Sequence, residues 1–142
     1  MLEISFYDEI IRIFFSLFAG LLIGYTRRSY PAGTRTFILI CLGSTIFAII
    51  SIDPSIFGTT SYDPSRIISQ IVTGIGFIGA GVIWKSNARI GGLTTAAAIW
   101  TTSAIGILIG IGDYMLSVIT LIIVMAVLYS KHITRKKGLR QY

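Results

Sequence analysis

Apolar residues fill five long stretches of the 142-residue chain, and short polar or charged segments separate these stretches. A helix that crosses a bilayer needs about 20 mostly apolar residues. The sequence therefore predicts an all-α, polytopic transmembrane helix bundle with five spans, over residues 4–25, 36–52, 67–84, 93–111 and 114–129. We assign residues 1–130 to one transmembrane domain and residues 131–142 to a polybasic tail.

The charged residues alternate between the two predicted sides of the membrane. All six acids lie on one side, and ten of the twelve lysines and arginines lie on the other, with Arg12 and Arg66 as the exceptions. Cytoplasmic loops of membrane proteins retain Lys and Arg. We therefore expect the N-terminus outside the cell and the C-terminus, with its polybasic tail, in the cytoplasm.

The composition favours a membrane location over a nucleic-acid partner. Hydrophobic residues make up 54% of the chain and charged residues 13%, whereas a soluble domain has about 25% charged residues. The net charge of +6 comes mainly from basic residues beside the spans, where they set orientation and contact anionic lipid. We expect the lipid bilayer as a partner and no nucleic acid.

The third predicted span contains the most informative pattern, the glycine-rich segment 74–81. Gly79 lies within a bulky face suited to lipid, and Gly76 lies at its edge. The opposite face is small and polar, and it holds Arg66, Gln70, Thr73, Gly74, Phe77, Ala80 and Gly81. We favour close helix packing, a common use of membrane glycines. The alternative is an unwound segment that lines a substrate site, as in transporters.

The fourth predicted span carries small residues and a deep tryptophan. A stripe of Thr95, Thr102, Gly106 and Gly110 indicates helix packing, since a threonine hydroxyl can bond to its own helix backbone. Trp100 lies about 10 Å inside the predicted helix start. We therefore expect Trp100 to pack against another helix or to line a cavity.

Pairs of small residues four positions apart offer surfaces for close helix contact. Some must serve packing within the chain, and others are available for association. We expect a homo-oligomer, with a dimer preferred, and a possible membrane-protein partner. The pairs are Gly20/Gly24, Gly76/Ala80 and Gly106/Gly110.

Arg35 and Arg66 lie at opposite mouths of the predicted bundle. Either arginine extends to the membrane surface, or Arg66 pairs with Asp63 while Arg35 meets helix carbonyls or an anion. Asp63 followed by Pro64 predicts the start of the third helix, because a capping residue precedes proline. We expect the outer acids to be solvated. Loose contact with Mg²⁺ is the alternative, and we assign no metal ligand.

The sequence does not favour an enzyme. His132 is the only histidine and lies in the basic tail, so a histidine-based triad or metal cluster is excluded. The chain lacks a Walker motif, and no acid lies at the middle of a span, as a carboxylate proton relay would require. We expect no catalytic residue and no cofactor.

Three segments together resemble the MgtC/SapB family of bacterial inner-membrane proteins over roughly residues 15–125. Thr26 and Phe37 stand where the family usually has glutamate and histidine, so roles of those two side chains are not carried over. Many members also have a soluble, ACT-like C-terminal domain, and we expect no regulation through it here. The segments are Gly24–Arg28 with Ala32–Thr36, Asp63–Arg66 with Gln70 and Gly74–Gly81, and Gly92–Trp100.

The resemblance implies a multi-pass protein of the bacterial inner membrane, linked to growth at low magnesium and to virulence or stress adaptation. Our leading hypothesis is a regulator or accessory protein that acts through helix contacts with membrane partners or itself. The alternative is a small oligomeric channel or carrier for Mg²⁺, another ion or a small solute. The candidate residues carried over are Arg27, Arg35, Asp63, Arg66, Gln70, Gly74, Gly76, Gly79, Gly81, Thr94, Thr95 and Trp100.

Overall fold

The computed structural model describes residues 6–30, 32–53, 63–86 and 89–136, with side chains to Ser130. These residues form five α-helices and one two-stranded antiparallel hairpin. The elements in chain order are α1 (Phe6–Thr26), α2 (Thr34–Ile52), α3 (Pro64–Gly81), β1 (Trp84–Ser86), β2 (Arg89–Gly91), α4 (Leu93–Ile111) and α5 (Tyr114–Lys136).

Neighbouring helices in the chain run in opposite directions. The start of α2 lies beside the end of α1 at Gly24 and Thr34, and the end of α3 lies beside the start of α4 at Gly79 and Ala96. The described acids therefore gather at one end of the bundle, which we call the acidic end: Asp8, Glu9, Asp53, Asp63 and Asp113. The opposite, basic end holds Arg27, Arg28, Arg35, Lys85 and Arg89.

Helix α2 lies at the centre, between α1 and α4, and glycines set the close spacing. A Cβ placed on Gly20 would lie 2.7 Å from the Cα of Ile38. A Cβ placed on Gly106 would lie 2.5 Å from the carbonyl oxygen of Cys41. Such approaches need residues without side chains, so the pairs Gly20/Gly24 and Gly106/Gly110 are committed to packing within the chain.

Polar side chains bond across this core instead of facing lipid. The hydroxyls of Ser44 and Ser103 lie 2.7 Å apart, and Thr45 donates to the carbonyl of Gly106 at 2.8 Å. Thr102 donates to Ala98 within its own helix at 2.7 Å. The packing role predicted for the fourth-span stripe is thus confirmed, and the hydroxyls have the partners that burial requires.

Helix α3 lies at the edge of the bundle, and the expectation that its bulky face suits lipid was wrong. The stripe that packs on the bundle lies on that face: Ile75 and Gly79 are buried, and Ile71 and Val82 are partly buried. The small, polar face is exposed, while Gly79 on the bulky face lies against Ala96 of α4, where an added Cβ would be 3.8 Å away. The helix is also continuous from Pro64 to Gly81, so the unwound alternative is not supported.

The described residues are mostly helical, as the all-α prediction requires, and a short hairpin is the exception. We expected the third span to reach Trp84 and a loop to follow, but α3 ends at Gly81 and Trp84 pairs with Gly91. The Trp84 ring covers Gly91, where a side chain would collide with it. Gly92 then begins α4 with a φ of 87°, a left-handed conformation that favours glycine. The chain thus turns from strand to helix within one residue.

By length and composition, two helices are long and apolar enough to cross a membrane: α2 and α4. The apolar part of α5, Tyr114–Ser130, is shorter, although its backbone continues as helix to Lys136, six residues into the predicted tail. Residues 137–142 lie outside the described part of the chain. The boundary of the tail, the number of spans and their orientation therefore stay predictions.

Candidate functional site

A wide groove with a volume of about 1050 Å³ lies between α2 and α3. Its walls are mostly apolar, and its polar side chains include Arg66, Ser69 and Gln70 towards the acidic end. The groove exists because α3 touches the bundle along a single stripe. Its lining residues are Thr36, Leu39, Ile40, Gly43, Ser44 and Phe47 of α2, and Arg66, Ile67, Ser69, Gln70, Ile71, Gly74, Ile75, Phe77 and Ile78 of α3.

The exposed glycines of α3 have no neighbours that explain them. A Cβ placed on Gly74, Gly76 or Gly81 would meet no atom within 4 Å. Beside Gly74, Phe77 exposes 83% of its surface. Glycine weakens a helix relative to alanine, so these residues carry a local cost without any contact inside the chain. The face therefore has the shape that close approach by another helix requires.

Asp63 and Arg66 begin α3 at the acidic end, but no ion pair joins them. The Asp63 carboxylate accepts a hydrogen bond from the backbone N–H of Ser65 at 2.9 Å, which confirms the predicted cap. The bond to Ser65 lowers the pKa of Asp63 below its usual value. Arg66 is exposed along the groove. Its cation is available to a ligand, a lipid headgroup or a partner.

The three candidate residues of α4, Thr94, Thr95 and Trp100, lie in different environments. Trp100 is 51% exposed and lines a cavity of about 60 Å³ with Val72 and Ile75, so it does border a cavity between α3 and α4. Thr94 is exposed, and Thr95 is buried. Neighbouring threonines therefore have different environments, as their 100° separation on a helix requires.

Arg27 connects the end of α1 to the first turn of α4 at the basic end. Its side chain is buried, and its guanidinium donates to the hydroxyl of Thr95. The guanidinium carbon lies 3.7 Å from the centre of the Tyr30 ring, close enough for a cation–π interaction. Burial lowers the pKa of Arg27 from its usual value. Arg35, a candidate at the same end, is exposed.

Sequence reasoning missed a second arginine contact, at the acidic end. Arg12 is buried, forms an ion pair with Asp8 and donates to the carbonyl of Gly110. The hydroxyl of Tyr114 donates to Asp8 at 2.7 Å. Asp8 and Arg12 are four residues apart, a spacing that places both side chains on one face of α1. The contacts with α4 and α5 depend on tertiary structure, and no local pattern signals them.

The predicted candidates thus divide between two places. Arg66, Gln70 and Gly74 line the groove at α3, whereas Arg27 and Thr95 meet at the basic end. In the described residues, no group of three or more His, Cys, Asp or Glu side chains is placed to hold a metal ion. The groove is therefore the candidate binding surface. The Arg27–Thr95 contact is a second, separate candidate site.

Apolar helices bundled around buried glycines and hydroxyls are typical of a helical membrane protein. The model of the MgtC family matches residues 13–137, and the chain belongs to this family. The resemblance inferred from its motifs is thereby confirmed. The members of the family are membrane proteins, which agrees with the two apolar helices α2 and α4.

Several relatives match most of the chain. YhiD of Escherichia coli K12, whose name gives magnesium transport as a candidate activity, is 45% identical over 82% of this chain and 59% of its own length. Protein MgtC of Salmonella typhimurium is 40% identical over 84% of this chain and 50% of its own length. Protein SrpB of Synechococcus elongatus is 34% identical over 76% and 66%, respectively.

The chain spans about half to two thirds of the length of these relatives. No solved structure matches it. Family membership therefore rests on the sequence comparisons, and the role of each residue rests on the geometry described above.

Proposed function

We propose that this protein is a multi-pass regulator or accessory protein of the bacterial inner membrane, linked to adaptation to low magnesium. It acts by docking the exposed face of α3 against a transmembrane helix of a partner protein or of a second copy. It transports no ion by itself and catalyses no reaction.

The exposed glycines of α3 are the observation that carries this proposal. A Cβ placed on Gly74, Gly76 or Gly81 would meet none of the described residues within 4 Å, whereas the glycines of α1 and α4 contact backbone closely. The groove beside them, of about 1050 Å³, is mostly apolar and open. A helix with small and apolar side chains would fill that space and gain the close contact that membrane glycines permit.

The separation of charge supports the proposed orientation. The acidic and basic ends of the bundle lie a helix length apart, about 30 Å for the 21 residues of α1. Basic loops are retained in the cytoplasm, so the basic end faces inward. All five helices then cross the bilayer, with α1 and α3 tolerated in lipid because their charged residues lie near helix ends.

The link to magnesium comes from relatives. YhiD carries a magnesium-transport name, and the chain is 45% identical to it. A regulator fits the geometry better than a carrier, since α3 is continuous and the described residues of one chain enclose no polar pathway.

An oligomeric channel or carrier is the second candidate. The observation that favours it is the polar end of the groove, where Arg66, Ser69 and Gln70 line an open space. Several copies would have to surround a pathway, because no single groove is closed. The five spans of one copy supply too few residues both to face the lipid and to line a pore.

Site-specific photo-crosslinking in native membranes tests the docking face. Phe77 is replaced by benzoylphenylalanine, which has nearly the same shape and keeps the side chain exposed. Phe14 of α1, 66% exposed, serves as the matched control in the same kind of environment. We expect a discrete crosslinked product from position 77 and none from position 14.

A second substitution ties that product to the glycines. Gly74→Leu adds a bulky side chain where no atom lies within 4 Å, so the chain should fold while the docking face is blocked. We expect the crosslinked product at position 77 to disappear. We also expect the Gly74→Leu variant to fail to restore growth at low magnesium in cells that lack the protein. An unchanged product and full rescue with Gly74→Leu would contradict the proposal.

Flux measurements separate the two candidates. The purified chain is reconstituted in liposomes containing a magnesium-sensitive dye, with insertion checked by protease access. We expect no flux above that of empty liposomes. Substantial flux that Arg66→Ala abolishes would replace the regulator with the carrier and place the pathway along the groove.

A further inference from the structure

Arg27 is a buried cation without a full set of partners. Only 3% of its surface is exposed. One terminal nitrogen donates to the Thr95 hydroxyl, but Nε is buried and has no hydrogen-bond partner. A buried charge is normally paired and fully bonded, because removing it from water costs several kcal/mol. Nε therefore lacks an acceptor, and in the described residues the guanidinium forms no ion pair.

Beyond the Tyr30 ring, which lies 3.7 Å from the guanidinium carbon, the side chain of Arg27 contacts a positive helix end. Thr95 belongs to the first turn of α4, and the N-terminus of a helix carries about half a positive charge. Gly92 begins this helix without a side-chain cap; its carbonyl accepts from the N–H of Ala96, but it offers no side-chain acceptor to the N–H groups before Ala96. A buried guanidinium and a positive helix end therefore share one location.

No carboxylate in the described chain offsets these charges. The described acids lie at the acidic end, where Asp8 forms an ion pair with Arg12. At the basic end the further charged side chains are positive, among them Arg28 and Arg35. The counter-charge must come from outside the described residues.

We propose that the basic end holds a binding site for a phosphate-bearing anion, formed by Arg27, Thr95 and the first turn of α4. The guanidinium Nε and the N–H groups of α4 are donors that match phosphate oxygens. The anion is either the headgroup of an acidic phospholipid or a free phosphate. This site is independent of the α3 docking face and of the proposed function.

Thermal unfolding of the purified full chain in neutral detergent tests the site. Phosphatidylglycerol is compared with phosphatidylcholine, and sodium phosphate with sodium chloride at equal ionic strength. We expect the unfolding midpoint to rise by about 5 °C with a saturating anion. Native mass spectrometry should detect one bound anion per chain.

Three variants separate a binding site from a structural contact. Arg27→Gln should lose the rise, whereas Arg28→Gln removes a neighbouring exposed cation and should keep it. Thr95→Asp places a carboxylate where the guanidinium already bonds. It should unfold at a higher temperature without added anion and show no further rise with it. If Arg27→Gln does not fold, Thr95→Asp decides.

The results distinguish a lipid headgroup from a soluble anion and can overturn both. A rise with phosphatidylglycerol alone supports a lipid headgroup, and a rise with inorganic phosphate supports a soluble anion. No rise with either, or a rise that persists in Thr95→Asp, overturns the proposal.

Discussion

The glycines of α4 and those of α3 have the same chemistry and opposite surroundings. At Gly106 and Gly110, a Cβ would lie within 2.6 Å of backbone oxygens of α2. At Gly74 and Gly76, a Cβ would meet nothing within 4 Å. Both helices begin or end at short turns, and both are rich in small residues, so local sequence does not explain the difference.

The difference shows that a glycine pattern does not by itself say whether a close contact lies within the chain. Helices α1 and α4 use their glycines to bring their backbones against α2, where Ser44 bonds with Ser103. Helix α3 keeps its glycines outside, because its buried stripe is built from isoleucine and Gly79. We attribute the outward glycines to an intermolecular contact.

The largest loss of stability is expected when a side chain is added at a closely packed glycine of α4. Gly106→Ala places a methyl group 2.5 Å from the Cys41 carbonyl oxygen and 2.9 Å from the Ser44 Cβ. Backbone cannot move aside as a side chain can, so we expect a loss of about 3 kcal/mol, measured by SDS-induced unfolding in mixed micelles. A matched substitution at Gly74 should not destabilise the chain. Equal losses at both positions would remove the distinction between the two helices.

A smaller loss of stability is expected when Arg12 is replaced at the acidic end of the bundle. Arg12→Leu leaves Asp8 unpaired and frees the Gly110 carbonyl. We expect a loss of about 2 kcal/mol, less than for a fully buried pair, because Asp8 is 35% exposed. The measurement is the same unfolding titration, with exposed Arg28→Leu as the control. An effect of Arg12→Leu no larger than the control would mean that the Arg12 contacts, including its bond to the Gly110 carbonyl, do not hold α1 to α4.

A slight gain is expected on α3 in the isolated protein. Gly76→Ala adds a methyl group into open space and removes backbone freedom from the unfolded chain, which stabilises a helix by about 0.5 kcal/mol. The same variant should weaken crosslinking at position 77 if the face docks a helix closely. Destabilisation of the isolated chain would indicate an internal contact for Gly76.

The smallest effect concerns the cap of α3 and depends on pH. The bond from Ser65 lowers the pKa of Asp63 below its ordinary value of 3.8, so its stabilisation is complete above that value. It is lost as the pH falls through the lower pKa of the folded state. The amide chemical shift of Ser65 should stay constant from pH 8 to pH 5 and titrate below 3.8. Asp63→Asn should remove this titration, and a midpoint above 3.8 would contradict the assignment.

Much of the architecture was predictable from the chain. Apolar length located the helices to within a few residues, and the order of charges predicted which helix ends share an end of the bundle. Asp63 and Pro64 predicted the start of α3, and family motifs pointed to Arg27 and Thr95. These features depend on neighbours in sequence, where periodicity and capping chemistry act directly.

The sequence by itself determined the helices, their alternation and the separation of acidic from basic ends. Tertiary structure decided which face of α3 is buried, that the hairpin at Trp84 replaces a helical turn, and that Arg12 reaches Gly110 and Tyr114. The physical reason is that a face is chosen by comparing whole packing arrangements. Helix α3 buries Ile75 and Gly79 and partly buries Ile71 against the bundle, and that choice of face is not encoded in the polarity of α3 alone.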